Sequence, residues 1–300
     1  MKLTYHKPVL CEAAIAALAI RPNGVYVDAT FGGGGHARSI VEALGLEGKL
    51  LAFDQDTDAQ QNLIDDPRFT FIPANFEHLK RFLRLHKIAK VDGILADFGV
   101  SSHQFDTPER GFSTRFSGPL DMRMNSGQEL DAAKIINTYT AAALADVFYQ
   151  FGELRNSRAI ASAVVAARAS QSIATTTALK EILQPLFPER FFNKRLAQVF
   201  QALRIEVNQE LEVIKAFLTQ AAEVLAPNGR LVCIAYHSLE DRLVKTFIRD
   251  GGFSGPPEAD LYGRRNLPFK RVQKMQVPTE GEISDNPRAR SAKMRVAERL

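Results

Sequence analysis

Apolar and polar positions alternate in two rhythms along the first third of the chain. Short apolar, β-branched runs bounded by glycine, proline or acidic residues predict strands. Amphipathic stretches with helical spacing separate these runs and predict helices, the first of them over residues 8–19. The expected strands span residues 24–28, 49–54, 69–72 and 91–97, and the helices between them span residues 36–44, 57–64 and 76–86. Strands that alternate with helices favour an α/β fold with a mostly parallel, doubly wound sheet.

This rhythm stops after Asp97. A segment rich in Gly, Ser and Pro extends to Asn125, and helical sequence then continues from residue 131 to about residue 204. A parallel crossover needs far less chain than that. We therefore expect an inserted all-helical subdomain over residues 106–205, with residues 1–105 and 206–300 forming one α/β domain.

The α/β pattern returns behind the insertion. The expected elements are a helix over residues 206–225, a turn at Pro227-Asn228-Gly229, a strand over 230–235 and a helix over 239–249. Ser238 is the expected N-cap of the last of these helices. A final strand over residues 292–297 is also predicted, although its apolar and polar positions alternate poorly.

The first expected strand leads into four consecutive glycines, Gly32 to Gly35, which His36 follows. A strand, a tight glycine turn and a helix start form the first corner of a nucleotide-binding α/β sheet. Consecutive glycines cost backbone entropy, which indicates that a ligand approaches the main chain there. The spacing also fits the dinucleotide pattern G-x-G-x-x-A, which by itself is a weak signal.

Three of the expected strands end in an aspartate, and ligands of open α/β sheets bind beyond these carboxyl ends. Asp54 can accept hydrogen bonds from the ribose hydroxyls of an adenosine cofactor, or it can cap the helix that follows it. Asp28 would repel a pyrophosphate and attract a cation, such as the amino group of S-adenosylmethionine. Alternatively, Asp28 bonds only the backbone amides of the glycine turn. The carboxylate of Asp28 is a first indication against NAD.

Asp97 ends the fourth strand, where a transferred group would be presented. Amino-directed methyltransferases place an Asp or Asn, followed by Pro-Pro-aromatic, at this point, and here the acid is present without the prolines. The exocyclic amine of cytosine, a substrate of this kind, is a poor nucleophile because its lone pair is delocalised into the ring. A group that accepts a hydrogen bond from the amine N–H makes the lone pair available. Positioning of the amine against a methyl donor supplies much of the remaining acceleration. Asp97 is the candidate for this acceptor, and a structural turn-former is the alternative. The transfer needs no metal, and the histidines show no metal-ligand spacing.

Charge and aromatic residues favour a polyanionic partner. Residues 264–299 contain ten Lys or Arg and four Asp or Glu, a local net charge of +6, whereas the whole chain has +4. Such a basic tail suits nucleic acid or a solvated surface. A loop over residues 105–123 interleaves aromatic rings with guanidinium groups, which suits an unstacked base and its phosphates. These residues are Phe105, Arg110, Phe112, Arg115, Phe116 and Arg123.

The remaining composition favours a cytoplasmic protein. The chain has 300 residues and only two cysteines, so a disulfide framework is not expected. No apolar run approaches the length of a membrane span, and residues 1–10 lack a signal-peptide pattern.

Several longer blocks, in a fixed order, are similar to one known family. They are Thr30-Phe31-Gly32 with Gly34-Gly35-His36, Gly111-Phe112-Ser113, the run GPLDMRM from Gly118 to Met124, the run FQALRIEVN from Phe200 to Asn208, HSLEDR from His237 to Arg242 and NPRARSAK from Asn286 to Lys293. With these blocks the chain resembles, nearly end to end, the bacterial 16S rRNA (cytosine-N4)-methyltransferase family (RsmH, formerly MraW).

The resemblance implies a class I (Rossmann-like) methyltransferase that uses S-adenosyl-L-methionine and carries a helical substrate-recognition insertion. The implied substrate is the N4 amine of a cytidine in the decoding region of 16S rRNA, within the assembled 30S subunit. The oligomeric state stays open, a homodimer included. The implied cofactor-binding residues are Gly34, Gly35, His36, Asp54, Phe76, Asp97 and Gln104, with Phe76 against the adenine and Asp97 also catalytic. Two other classes compete with this hypothesis, an NAD-dependent oxidoreductase and a non-catalytic assembly factor that holds RNA.

Overall fold

The computed structural model describes residues 8–300. Residues 1–7 lie outside the described residues, and so does most of the segment 1–10 in which no signal peptide is expected. Seven strands form one sheet: β1 (Val25–Asp28), β2 (Lys49–Phe53), β3 (Phe69–Ile72), β4 (Val91–Asp97), β5 (Leu225–Ala235), β6 (Phe269–Arg271) and β7 (Lys293–Arg299). Their order across the sheet is β3-β2-β1-β4-β5-β7-β6. The first five are parallel, while β7 pairs antiparallel with both β5 and β6. The predicted mostly parallel, doubly wound sheet is thereby confirmed.

Helices fill the connections. They are α1 (Cys11–Leu18), α2 (Gly35–Ala43), α3 (Leu79–Leu85), α4 (Ser102–Asp106), α5 (Ala132–Thr138), α6 (Ala141–Gln150), α7 (Ser157–Arg168), α8 (Thr176–Leu183), α9 (Glu189–Asn208), α10 (Glu210–Val224), α11 (Ser238–Asp250) and α12 (Glu280–Asp285). The α-helix expected over residues 57–64 is wrong, because a 3-10 helix, Thr57–Asn62, stands there. Among the described residues, no helix is both long enough and apolar enough to cross a membrane.

The chain divides into two compact units, residues 1–99 with 211–300 and residues 100–210. In the first unit both faces of the sheet are covered by apolar side chains. Along β1, Val27 packs into one core, while the adjacent Tyr26 packs into the core on the opposite face. Along β4, Ile94 and Leu95 divide in the same way. Burial on both faces explains why these strands are continuous apolar runs.

The second unit contains α4 to α9 and no strand, which confirms the predicted helical insertion as a feature of the fold. It starts six residues before and ends five residues after the expected bounds of 106–205, since α4 belongs to this unit and α9 continues to Asn208. Its apolar core includes Phe148, Leu179 and Leu203, all fully buried. A buried ion pair joins Arg204 Nε to Glu210 Oε1 at 2.7 Å.

The basic C-terminal segment is folded against the sheet. Glu298 on β7 pairs with Lys270 on β6 at 2.6 Å and with Arg230 on β5 at 2.9 Å. Arg295, also on β7, pairs with Asp241 on α11 at 2.6 Å. Part of the local positive charge therefore stabilises the edge of the sheet. The final strand predicted over residues 292–297 is confirmed as β7.

Candidate functional site

The glycine turn after β1 is built for close backbone approach. Gly34 has a φ of 76°, a left-handed conformation that favours glycine. A Cβ on Gly35 would lie 2.5 Å from Cγ of Pro8, so a side chain is excluded there as well. A Cβ on Gly33, in contrast, would meet no atom within 4 Å. Glycine is thus required at positions 34 and 35, where the turn passes into α2.

Asp54 follows β2 and holds this turn in place. Its Oδ2 accepts a hydrogen bond of 2.8 Å from the Gly32 N–H, and its Oδ1 accepts one of 2.8 Å from the Asp56 N–H. Burial, opposed by these backbone hydrogen bonds, raises the pKa of Asp54 to about 6. The cap of the following 3-10 helix is Asp56, which accepts from the Asp58 N–H. Asp54 therefore does not cap this helix, and the helix-cap alternative is wrong, because the cap lies two residues further along the chain.

Asp28, the last residue of β1, is almost completely buried, with 1% of its surface exposed. Its Oδ1 accepts a hydrogen bond of 3.0 Å from the Thr30 N–H, so the backbone alternative accounts for one of its two oxygens. Its Oδ2 is buried and has no hydrogen-bond partner among the described residues. Burial is the largest effect on this carboxyl and raises its pKa to about 7.

Asp97, the last residue of β4, lies beside the turn. Its backbone N–H donates to Thr30 Oγ1 at 2.7 Å, which ties the ends of β1 and β4 together. Its Oδ1 is buried and accepts no hydrogen bond from the described residues. Burial raises the pKa of Asp97 to about 8, the Tyr236 hydroxyl opposes this shift, and the charges of Asp28 and Glu240 add to it.

The ring of His36 lies close to Asp97, and it does not neutralise that carboxylate. Its Nδ1 lies 3.8 Å from Asp97 Oδ2, beyond hydrogen-bonding distance. Its Nε2 lies 3.1 Å from the carbonyl oxygen of Val9, an acceptor, which assigns the proton to Nε2. Burial lowers the pKa of His36 to about 4, so the ring is neutral at pH 7. Asp28 and Asp97 thus share a buried region that lacks a compensating cation from His36.

Phe76 and Gln104, two further cofactor residues implied by the family resemblance, have visible structural roles. The half-buried Phe76 ring lies 6.0 Å from the ring of Phe98 and 5.3 Å from that of Phe217, measured between centroids. Gln104 is buried in the second unit and forms a capping box with Ser101 at the start of α4. These contacts fix both side chains, and their cofactor contacts stay predictions.

Two residues near Asp97 escaped the residue-level reasoning. Tyr236 follows β5 and acts on the Asp97 carboxyl, while burial and that carboxyl raise the pKa of the Tyr236 hydroxyl well above its usual range. Glu240 is fully buried and its Oε2 accepts a hydrogen bond of 2.8 Å from the Tyr236 N–H. Glu240 also completes a capping box with His237, which caps α11 in place of the expected Ser238. The capping-box spacing was the available signal for Glu240.

Comparison with known proteins assigns the chain to a family. The family model described as the MraW methylase family matches residues 3–300. The chain belongs to this family. It is 54% identical over 298 residues to "Ribosomal RNA small subunit methyltransferase H" of Flavobacterium johnsoniae, with 99% of each chain covered. It is 55% identical over 299 residues to the protein of the same name from Bacteroides thetaiotaomicron, with 99% of this chain and 98% of that one covered.

Within this methylase, the aromatic and basic residues of the loop over 105–123 divide into two groups. Phe112 is buried, and Phe105 packs against the core of the second unit. Arg110 donates to the carbonyl oxygen of Arg123 at 3.0 Å, and Arg123 pairs with Asp121 at 2.7 Å. These four residues are structural. Arg115 and Phe116 are the two that stay exposed.

Proposed function

We propose that this chain transfers a methyl group from S-adenosyl-L-methionine to the N4 amine of a cytidine in the decoding region of small-subunit rRNA. Membership of a methylase family and the printed names of relatives at 54–55% identity support a small-subunit rRNA methyltransferase. The structural observation that carries the proposal is a pair of carboxyl groups beside the glycine turn, the buried Asp28 and the partly buried Asp97, each with one buried oxygen that lacks a hydrogen-bond partner among the described residues. They favour a cationic ligand over a pyrophosphate, because a polyanion would add repulsion to carboxylates that are already desolvated.

The residues present fit the proposed cofactor. Asp28 Oδ2 and Asp97 Oδ1 are buried oxygens without hydrogen-bond partners among the described residues, and a sulfonium or ammonium group would compensate them. The backbone of Gly34 and Gly35, with the ring of His36, would hold the methionine part. Asp54 would accept from the ribose hydroxyls. When bound, the cofactor supplies an electrophilic methyl group.

The adenine contact and Gln104 complete the proposed cofactor site. The exposed part of the Phe76 ring offers a flat apolar surface to adenine, and Phe98 with Phe217 fixes its orientation. Gln104, which the family resemblance implies as a cofactor residue, stays a proposed contact. Its side-chain carbonyl accepts a hydrogen bond from the Ser101 N–H at 3.0 Å, which fixes the orientation of the side chain.

Asp97 is the proposed catalytic residue. As a carboxylate, Asp97 accepts a hydrogen bond from an N–H group of the cytosine amine, which makes the nitrogen lone pair available. The pKa of about 8 means that Asp97 is largely protonated at pH 7 without a ligand, and a protonated carboxyl donates on one oxygen. A neighbouring cation favours the ionised form and restores the acceptor. Binding of the cationic cofactor would therefore also prepare Asp97 to accept the hydrogen bond from the amine.

The proposed macromolecular substrate is the assembled 30S subunit in the cytoplasm, and the helical unit of residues 100–210 is proposed to recognise the RNA. The remaining positive charge of the C-terminal segment supports a polyanionic partner. Arg264, Arg265, Arg271, Lys274 and Arg290 are all exposed there. Binding through such charges weakens steeply with salt.

Titration and turnover test the proposal together. Calorimetry with S-adenosylmethionine and with NAD should show binding of the former alone, since NAD carries the repelled pyrophosphate. Asp97→Asn and Asp97→Ala should both lose at least about a hundredfold in turnover on unmethylated 30S subunits. Asp146→Asn, a change at an exposed aspartate on α6, is the matched control and should keep wild-type turnover. Full turnover by both Asp97 variants, or tight binding of NAD alone, would reject the assignment.

A further inference from the structure

A groove in the second unit lies between the loop over residues 114–117 and the first turns of α8. Its volume is about 230 Å³. Arg115, Phe116 and Ser117 line one wall, and Thr177, Lys180 and Glu181 line the other. We call this the α8 groove.

Hydrogen bonds fix the two walls of the α8 groove relative to each other. The hydroxyl of the buried Thr176 donates to the carbonyl oxygen of Phe116 at 2.9 Å and accepts from the Gly118 N–H at 3.1 Å. The Thr177 hydroxyl donates to Ser117 Oγ at 2.9 Å. Gly118 admits no side chain, because a Cβ there would lie 2.0 Å from the carbonyl oxygen of Pro108. The groove is therefore formed before any ligand enters.

The cationic side chains of the α8 groove are not used by the fold. Within the described residues, the side chains of Arg115 and Lys180 take part in no ion pair and no hydrogen bond, in contrast to Arg110 and Arg123 from the same loop region. Glu181 is the one carboxylate in the lining, so the groove carries a net charge of +1. A phosphate would supply the acceptors that both cations lack.

Phe116 adds an aromatic surface to this charged groove. The residue is 43% exposed, and its ring is outside the apolar cluster that Phe112 joins. An exposed ring beside cationic and hydroxyl groups is the combination with which proteins hold an unstacked base and its phosphate. Glu181 can accept from a ribose hydroxyl or a base amino group, which a free phosphate does not offer.

We infer that the α8 groove binds one unpaired nucleotide of the RNA substrate, with the phosphate at Arg115 and Lys180 and the base on Phe116. This inference rests on the proposed function, since it assigns part of the substrate contact to a defined surface of the second unit. Binding here anchors the RNA and takes no part in the chemical step. Loss of the groove should therefore raise KM and leave kcat unchanged.

Charge removal provides the first test. Arg115→Ala combined with Lys180→Ala should raise KM for unmethylated 30S subunits about tenfold. It should also make the slope of log affinity against log salt less steep by about 0.7, the value for one single-strand phosphate contact. Arg155→Ala combined with Arg158→Ala removes the same charge from exposed positions outside the groove and should change KM less than about twofold. Equal effects of the two double variants would overturn the inference.

Ring substitution provides the second test. Phe116→Leu keeps an apolar side chain without an aromatic face, and Phe116→Trp keeps the face. A stacking role predicts a KM increase of about fivefold or more for Phe116→Leu and wild-type behaviour for Phe116→Trp. Wild-type KM in both variants would contradict the base contact.

A photocrosslinking side chain at position 116 distinguishes failure of this inference from failure of the proposed function. Crosslinking of the full chain to 16S rRNA in the 30S subunit is the expected result. A crosslink to a ribosomal protein, or none at all, would overturn the groove assignment even if the wild-type chain methylates the subunit. If the wild-type chain does not methylate the subunit and the crosslink to RNA still forms, the proposed function fails while the groove assignment stands.

Discussion

The affinity of this methylase for S-adenosylmethionine should rise with pH. Burial raises the pKa of Asp97 to about 8 and that of Asp28 to about 7, so both carboxyls are largely protonated in mildly acidic solution without a ligand. A cationic ligand binds the ionised carboxylates, and protons must leave as it enters. A site of ordinary aspartates, which are already ionised at pH 5.5, would show no such rise.

The size of the effect follows from the raised pKa values. For a single group with a pKa of about 8, the ionised fraction grows almost tenfold per pH unit below that value, hence about eightyfold between pH 5.5 and pH 7.5. That factor corresponds to about 2.6 kcal/mol of binding free energy. A contribution from Asp28 adds to it. The window ends at pH 7.5 because the ligand's own α-amino group loses its proton near pH 8.

Calorimetry measures both the affinity and the released protons. Titrations at pH 7 in two buffers of different ionisation enthalpy should show release of about one proton per bound S-adenosylmethionine. The demethylated product, which has the same amino group and no sulfonium charge, should show the smaller pH dependence. Asp97→Asn should remove most of the dependence. A flat affinity between pH 5.5 and pH 7.5, with no proton release, would refute the assignment of these carboxylates to a cationic ligand.

Three further predictions concern stability. Because folding raises the pKa of Asp97, the contribution of this residue to stability is lost as the pH rises from about 4 to about 8. Asp97→Asn should therefore raise the free energy of unfolding by roughly 2–4 kcal/mol at pH 8 and leave it almost unchanged at pH 4. Urea denaturation at the two pH values measures this difference. Gly35→Ala should destabilise by roughly 1–3 kcal/mol through overlap with the neighbouring proline ring, whereas Gly33→Ala, into open space, should cost less than about 1 kcal/mol; equal melting temperatures would contradict this. Arg204→Ala should cost about 3–5 kcal/mol because it leaves Glu210 buried without its guanidinium partner, and a loss below about 1 kcal/mol in chemical denaturation would show that the pair is solvated.

The first half of the sheet could be predicted almost to the residue. β1, β2 and β4 are buried on both faces, and such strands are apolar runs that end where polar residues begin. The strand-end aspartates were visible for the same reason. Asp28 and Asp97 end β1 and β4, which pair directly with each other, so the sheet order brings the two residues to the same edge. Their separation in the sequence carries no such information.

Side-chain competition inside the loops could not be predicted. The sequence presents Arg110, Arg115 and Arg123 as equivalent cations, yet two of them are used by carbonyl groups and by Asp121. His237 and Ser238 compete for one cap position, and the choice falls to the residue whose side chain reaches the Glu240 N–H. Strand β7 depends on antiparallel pairing with β5 across about sixty residues, a tertiary contact that weak local alternation does not show.

Nucleoside mass spectrometry tests the central claim most directly. Unmethylated 30S subunits, taken from cells that lack this enzyme, are incubated with the purified chain and S-adenosylmethionine, and the 16S rRNA is then digested to nucleosides. The account predicts one new N4-methylcytidine per subunit with the wild-type chain and none with Asp97→Asn. Methylation at another atom or base, or no methylated nucleoside at all, would contradict it.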